Sequence, residues 1–190
     1  MLHETVVQGL WLILPAYASN MLATLVGGGP PIDGGRSWSD GRRILGGGKT
    51  WQGLILAPLL AIAIGALQHA YAADVGFGVT DFGTSPAYLV HVYALALGAL
   101  LGDLGASFLK RRLGKERGER WLGPDQYDFI AGALLLAALA SLATMAWTGS
   151  WWLFEALTLG PFLAILILTP GLHLLVNGIG YLVGVKEVPW

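Results

Sequence analysis

The feature that most constrains this chain is the position of its positive charges. Two clusters and one isolated lysine leave three long stretches without a cation, at 1–35, 50–109 and 121–185. A helix needs roughly 20 apolar residues to cross a bilayer. The first stretch can therefore hold one membrane span, and each of the others can hold two spans and a turn, which predicts five transmembrane helices. The cations are Arg36, Arg42, Arg43 and Lys49; Lys110, Arg111, Arg112, Lys115, Arg117 and Arg120; and Lys186.

Composition agrees with a membrane protein. The 190 residues are 55% hydrophobic and only 12% charged, whereas a soluble domain carries about 25% charged residues. The chain has no cysteine, which excludes disulfide frameworks, Cys-based zinc sites and thiol catalysis. The net charge of −1 argues against a general surface for nucleic acid. We expect an all-α integral membrane protein with one membrane-embedded domain over 1–190.

The hydrophobic runs locate the predicted spans. Because Lys and Arg are enriched in cytoplasmic loops, both basic clusters are assigned to cytoplasmic loops. The N-terminus is then outside and the C-terminus inside, in a multi-pass protein of the cell membrane. The two cytoplasmic loops are Gly27–Thr50, here called loop one, and Lys110–Tyr127. The candidate spans are about Val6–Val26, Trp51–Ala72, Ala87–Leu109, Phe129–Trp147 and Phe154–Leu175.

The third span contains a carboxylate, Asp103, in an otherwise apolar sequence. A charge at this depth is costly unless it faces water, a metal or a partner, and such residues are often functional. Asp103, Ser107 and Lys110 are spaced i, i+4 and i+7, so they share one helical face. The alternative is that Asp103 only forms a structural ion pair with Lys110 or a neighbouring arginine.

Two further carboxylates, Asp125 and Asp128, begin the fourth span. They could simply stabilise a helix N-terminus. However, an antiparallel pair of spans would bring them to the same cytoplasmic mouth as Asp103 and several cations. Carboxylate oxygens beside a phosphate-sized basic cluster are suited to Mg²⁺ bound to a nucleoside triphosphate.

Loop one contains three groups of glycines, which let backbone N–H groups approach phosphate oxygens. Asn20 and Asn177 are polar residues near the cytoplasmic ends of the first and last spans. They are candidates for nucleotide contacts, or they hydrogen-bond a neighbouring helix.

Taken in order, the motifs resemble those of the archaeal CDP-archaeol synthases over essentially the whole chain. The chain is also similar to the CDP-diacylglycerol synthases in its Ser107…Lys110-Arg111 segment. A second shared segment is reduced here, with Gln126 where those relatives have arginine. The motifs are Pro15-Ala-Tyr-Ala-Ser-Asn, Gly27-Gly-Gly-Pro-Pro-Ile-Asp-Gly-Gly, Asp40-Gly-Arg-Arg-Ile-Leu-Gly-Gly-Gly-Lys-Thr-Trp, Gly102-Asp-Leu-Gly-Ala-Ser-Phe-Leu-Lys-Arg-Arg-Leu-Gly, Asp125-Gln-Tyr-Asp-Phe, Thr169-Pro-Gly-Leu-His and Lys186-Glu-Val-Pro-Trp.

The resemblance implies a cytidylyltransferase that joins CTP to an isoprenoid ether lipid phosphate, 2,3-di-O-geranylgeranylglyceryl phosphate. The products are CDP-archaeol and pyrophosphate, formed at the lipid bilayer. Under this hypothesis Asp103, Asp125 and Asp128 bind Mg²⁺, and Asp103, Asp128, Lys110 and Arg111 act on the reacting phosphates. The expected nucleotide-binding or lipid-phosphate-binding residues are Ser107, Lys110, Arg111, Gly28, Gly29, Asp33, Arg42, Arg43 and Lys49, with Asn20 and Asn177 at the base or ribose.

Two alternatives belong to other classes. A different small membrane lipid enzyme, such as a glycerol-phosphate acyltransferase, could also use glycines and cations for a phosphate, but it needs no CTP and no cluster of acidic metal ligands. A channel or transporter could line an ion path with Asp103. Such a path favours polar residues through the full membrane depth, whereas the strong polar signal here is confined to the predicted cytoplasmic half.

Overall fold

The computed structural model describes residues 2–116, 118–186 and 188–189. Five of its helices are long and apolar enough to cross a membrane, which confirms the predicted all-α, five-span fold. Within the described ranges, extended pairing is limited to two isolated bridges in loop one. The helices are α1 (Leu2–Val26), α2 (Trp51–Val75), α3 (Ala87–Arg112), α4 (Pro124–Thr148), α5 (Trp152–Ala156) and α6 (Leu159–Leu182).

The predicted start of the last span at Phe154 is wrong. Phe154 belongs to the short helix α5, and the spanning helix α6 begins at Leu159. The reason is that Trp152 is drawn into the bundle: its indole N–H donates to the carbonyl oxygen of Asp81 at 2.9 Å. Its ring also stacks on His91, with 4.5 Å between ring centroids. The chain therefore folds inward before it crosses the membrane again.

Helices α3 and α4 pack through close backbone contact. Gly98 and Gly102 in α3 face Gly132 and the backbone of Asp128 in α4. A Cβ atom at Gly102 would overlap the carbonyl oxygen of Asp128, and one at Gly98 would overlap the carbonyl oxygen of Gly132. Small residues four apart permit this close approach of membrane helices. The contact lies directly beside Asp103, so it fixes the spacing between the carboxylates of the two helices.

The two ends of the bundle differ in charge and in how they are closed. At one end, the 76–86 connection is attached by Gln8, whose amide donates to Thr80 Oγ1 at 2.6 Å and accepts the Thr80 N–H at 2.8 Å. At the other end lie loop one, the 113–123 connection, the C-terminus of α6 and every described Lys and Arg. Arg117 of the second basic cluster, and Glu187 and Trp190 of the closing motif, lie outside the described residues.

Candidate active site

The basic end of the bundle contains a cavity of about 590 Å³. Its walls come from loop one and from the ends of α1, α2, α3, α4 and α6. A volume of this size is typical of small-molecule sites. The charged side chains that line it are Lys49, Lys110, Arg111, Lys186, Asp103, Asp125 and Asp128.

The cavity brings together all but three of the residues selected from the sequence. Asp103, Ser107 and Lys110 all line it, as expected for residues on one face of α3. The other predicted residues in its wall are Asn20, Gly28, Gly29, Lys49, Arg111, Asp125, Asp128 and Asn177.

Two of the carboxylates in the cavity are paired with lysines. Asp103 pairs with Lys49 of loop one, and Asp125 accepts from Lys110 at 2.8 Å. Asp125 also accepts the backbone N–H of Trp121 at 2.9 Å. The partner of Asp103 is therefore a distant loop lysine, not Lys110 or an arginine of its own helix. Each of these pairs is partly accessible from the cavity.

The third carboxylate, Asp128, forms no ion pair with any residue in the described ranges. It lies near enough to Asp103 for their charges to interact. Among the residues described, no group of three or more His, Asp or Glu side chains is assembled tightly enough to hold a metal. Mg²⁺ commonly binds through one or two carboxylates together with substrate phosphates and water. Asp103, Asp125 and Asp128 supply donors of the type that Mg²⁺ uses, and the predicted magnesium site stays a prediction.

Arg111 connects two walls of the cavity. Its Nε donates to the carbonyl oxygen of Leu45 at 2.8 Å, and its Nη1 donates to the carbonyl oxygen of Lys115. An arginine has five N–H donors, so these two contacts leave others for a ligand. The guanidinium also places loop one against the C-terminal end of α3.

Asp33, Arg42 and Arg43 do not line the cavity. The carboxylate of Asp33 is fully buried and accepts from Arg43 Nη2 at 2.5 Å and from the backbone N–H groups of Gly35 and Leu45 at 3.0 and 3.1 Å. Burial opposes its ionisation, but these hydrogen bonds hold the pKa of Asp33 below its ordinary value. Asp33 and Arg43 therefore organise loop one from within.

Arg42 has a similar structural contact at the base of the loop. Its guanidinium donates to the carbonyl oxygen of Arg112 at 2.9 Å, at the end of α3. The last carbonyl groups of a helix have no partner within the helix, so this contact caps α3. Arg112 in turn donates to the carbonyl oxygen of Arg43 at 2.6 Å and to Asp40 at 3.0 Å. Loop one is thus fastened to α3 from both sides.

The structure adds two residues with ionisable side chains that were not selected from the sequence, Lys186 and His173. Both line the cavity. Lys186 had a detectable signal, because it is the one cation outside the two clusters. For His173 the only signal in the sequence was its position one helical turn before Asn177. That position is equally compatible with a histidine that binds a ligand and with one that packs against a neighbouring helix.

Comparison with known proteins identifies the family of this chain. The family model for CarS-like CDP-archaeol synthase matches residues 2–190. The chain belongs to the CDP-archaeol synthase family. It is similar to the CDP-archaeol synthase of Methanosphaerula palustris, with 48% identity over 94% of this chain and 100% of the relative. The relative from Halobacterium salinarum is 46% identical over 98% of this chain and 97% of its own length.

A solved structure agrees at the level of the fold. It is described as that of an intramembrane enzyme for archaeal membrane lipid biosynthesis. The match has a TM-score of 0.67 and 35% sequence identity, and it covers 90% of this chain and 94% of the solved chain. Family membership therefore extends over the whole bundle, including the cavity and both of its loops.

Proposed function

We propose that this protein is a membrane cytidylyltransferase that converts CTP and 2,3-di-O-geranylgeranylglyceryl phosphate to CDP-archaeol and pyrophosphate. The observation that carries the proposal is a single cavity, at one end of an apolar bundle, that combines four cations with three carboxylates. The cations suit a triphosphate, and the carboxylates suit its magnesium ion. Membership of the CDP-archaeol synthase family supports the same substrates.

The reaction requires positioning more than a protein nucleophile. An oxygen of the lipid phosphate attacks the α-phosphorus of CTP, and the bond from this phosphorus to the oxygen that bridges it to the β-phosphate breaks. Pyrophosphate leaves with that bridging oxygen and its electron pair. Such transfers are accelerated by alignment and by stabilisation of charge on the phosphate oxygens. Lys110 and Arg111 are suited to the phosphate oxygens of CTP, together with the hydroxyl of Ser107.

The ion pairs suggest how the substrate is admitted. Lys49 and Lys110 neutralise Asp103 and Asp125 in the cavity. With CTP and Mg²⁺ bound, Lys49 and Lys110 would donate to phosphate oxygens, and Asp103 and Asp125 would be available to hold the metal. The bound metal would neutralise the charge on the triphosphate. Neither ligand alone replaces both partners of a pair, so CTP and Mg²⁺ are expected to bind with positive coupling.

The cavity can also receive a lipid headgroup. Its wall includes the apolar side chains of Leu54, Leu100 and Leu104 beside the charged residues. The helices that carry them expose large hydrophobic side chains, such as Leu101 and Ile55. A lipid phosphate could therefore reach the cations of the cavity while its isoprenoid chains stay in the bilayer. We also propose that this end faces the cytoplasm, because it carries every described cation.

Thermal unfolding of the detergent-solubilised protein tests the proposal, because a ligand that binds the folded state stabilises it. CTP with Mg²⁺ should raise the unfolding temperature, whereas ATP with Mg²⁺ and acyl donors should leave it unchanged. Product analysis with CTP and the lipid phosphate should then yield CDP-archaeol. Protection by an acyl donor but not by CTP would instead indicate an acyltransferase. The absence of any effect of CTP and of any product would contradict the proposal.

A further inference from the structure

The residues that follow α6 turn back toward the cavity. The turn is made at Gly184, whose φ of 75° lies in the left-handed region that favours glycine. The N–H groups of Val185 and Lys186 both donate to the carbonyl oxygen of Gly180, at 2.9 and 3.1 Å. These bonds satisfy a carbonyl at the end of α6 and reverse the chain, as in other glycine-terminated helices. The reversal directs Lys186 alongside the helix it follows.

The side chain of Lys186 is held against α6 along its length. Its aliphatic part packs on Gly180, where an added Cβ would lie 3.3 Å from Lys186 Cγ. Its ammonium donates to Oδ1 of Asn177, a residue that is 4% exposed. The amide nitrogen of Asn177 lies 3.1 Å from a ring nitrogen of His173. Asn177 is therefore oriented on both sides, and its oxygen fixes the position of the ammonium.

The ammonium group of Lys186 has different partners from those of the other two lysines in the cavity. Lys49 and Lys110 each pair with an aspartate. In the described part of the chain, no carboxylate lies within 4.0 Å of Lys186. Burial lowers the pKa of Lys186, and the charge of Asp103 only partly opposes this effect. A lysine ammonium has three N–H donors, and the contact with Asn177 uses one of them.

We propose that Lys186 is a further substrate-binding residue, which Asn177 positions to donate to a phosphate oxygen in the cavity. The ligand is a phosphate group, supplied either by CTP or by the lipid. This inference rests on the proposed cytidylyltransferase function and adds the C-terminal segment to its site. It also gives Asn177 a different task from the base or ribose contact expected from the sequence, because its oxygen is already engaged by Lys186.

Full-length protein in detergent provides the test, with Lys186→Met, Lys186→Arg and Lys115→Met compared. Lys115 is a matched control because its ammonium pairs with Glu119 at 2.8 Å on the surface and does not line the cavity. Lys186→Met should weaken binding of the phosphate ligand roughly 10- to 100-fold, the range for loss of a charge-assisted hydrogen bond. Lys186→Arg should recover most of that loss, and Lys115→Met should match the unmodified protein.

Two titrations identify which phosphate is bound. If Lys186 holds CTP, the loss appears when CTP and Mg²⁺ are added without lipid. If it holds the lipid phosphate, CTP binding is unchanged and the KM for the lipid phosphate rises. Either result supports the proposal. Equal behaviour of Lys186→Met and Lys115→Met in both titrations, with the unmodified protein active, would overturn it and leave the proposed function intact. An unmodified protein that neither binds CTP nor forms product would contradict the proposed function itself.

Asn177→Ala tests the positioning role, and as a single variant it does not depend on the stability of the Lys186 variants. It should weaken binding of the same substrate that Lys186→Met affects. In a double variant with Lys186→Arg or Lys186→Met, the total loss of binding free energy should be smaller than the sum of the losses in the two single variants. Residues that act through one contact behave in this non-additive way. A fully additive double variant, or an Asn177→Ala protein with unchanged KM for both substrates, would contradict the positioning role.

Discussion

At the scale of single residues, the cavity depends on how Asp103 is neutralised. Its partner is a lysine from a loop, and both side chains are partly accessible, with 28% exposure for Lys49 and 26% for Asp103. Ion pairs of this kind contribute little net stability, because the charges lose solvation when they pair. The Asp103–Lys49 pair can therefore open at low cost when a ligand offers both residues better partners. We therefore predict that loss of the Asp103 carboxylate affects activity more than folding.

Asp103→Asn should lower turnover of CTP by at least about 100-fold, the usual scale for loss of a group that acts on transition-state charge. The protein should remain folded, since asparagine preserves the shape of the side chain. Incorporation of labelled CTP and the unfolding temperature in detergent measure the two effects. Asp74→Asn is a matched control, because Asp74 is exposed near the opposite end of the bundle. Near-normal activity of Asp103→Asn would contradict the role of this carboxylate.

Residue-level prediction succeeded where helical periodicity applies. The spacing of Asp103, Ser107 and Lys110 was sufficient to assign them to one face, and all three line the cavity. The pairing of Asp103 with Lys49 was not predictable, because it depends on the irregular path of loop one. The same limit applies to Asp33. Its carboxylate is buried and accepts from three donors because of the way loop one folds, and no local sequence pattern indicates this.

At the scale of elements, the glycines of α3 determine how the carboxylates of the two central helices are spaced. Gly102 is in direct contact with the α4 backbone at Asp128, whereas Gly105 has no atom within 4 Å of an added Cβ. Of these two glycines, only Gly102 takes part in the close approach of the helices. The spans themselves were predictable from hydropathy, but the inward fold of α5 was not, because it is caused by tertiary contacts of Trp152.

The pair Gly102→Ala and Gly105→Ala tests this packing. A methyl group at Gly102 should force α3 and α4 apart and lower the free energy of unfolding by about 1–3 kcal/mol, the usual cost of overpacking. It should also reduce activity, because Asp103 and Asp128 would separate. Gly105→Ala should be neutral or stabilising by up to about 1 kcal/mol, since alanine favours a helix. Thermal unfolding and CTP turnover measure both effects, and equal effects of the two substitutions would contradict the packing.

At the scale of the whole molecule, charge separates the two ends of the bundle. All described cations are at the cavity end, while Asp74 and Asp81 are at the other. This asymmetry could be predicted from the sequence, because it depends only on the order of charged and apolar segments. The closure of the cavity by the C-terminal segment could not, since it requires the chain reversal at Gly184.

The absence of cysteine makes this orientation directly measurable. Ser39→Cys introduces one thiol in loop one, and Ala73→Cys introduces one at the opposite end; both positions are exposed. A membrane-impermeant maleimide should label Ala73→Cys in intact cells, and it should label Ser39→Cys only after the membrane is opened. The reverse pattern would contradict the assignment of the cavity to the cytoplasm.

The central claim is that the cavity transfers a cytidylyl group from CTP to a lipid phosphate. The most direct test supplies the purified protein with the lipid phosphate, Mg²⁺ and CTP that carries a radiolabel in either the α- or the γ-phosphate. The account predicts that the α-label enters the lipid together with cytidine, while the γ-label is recovered as water-soluble pyrophosphate. A lipid that gains the γ-label, or that gains no label from either nucleotide, would contradict it.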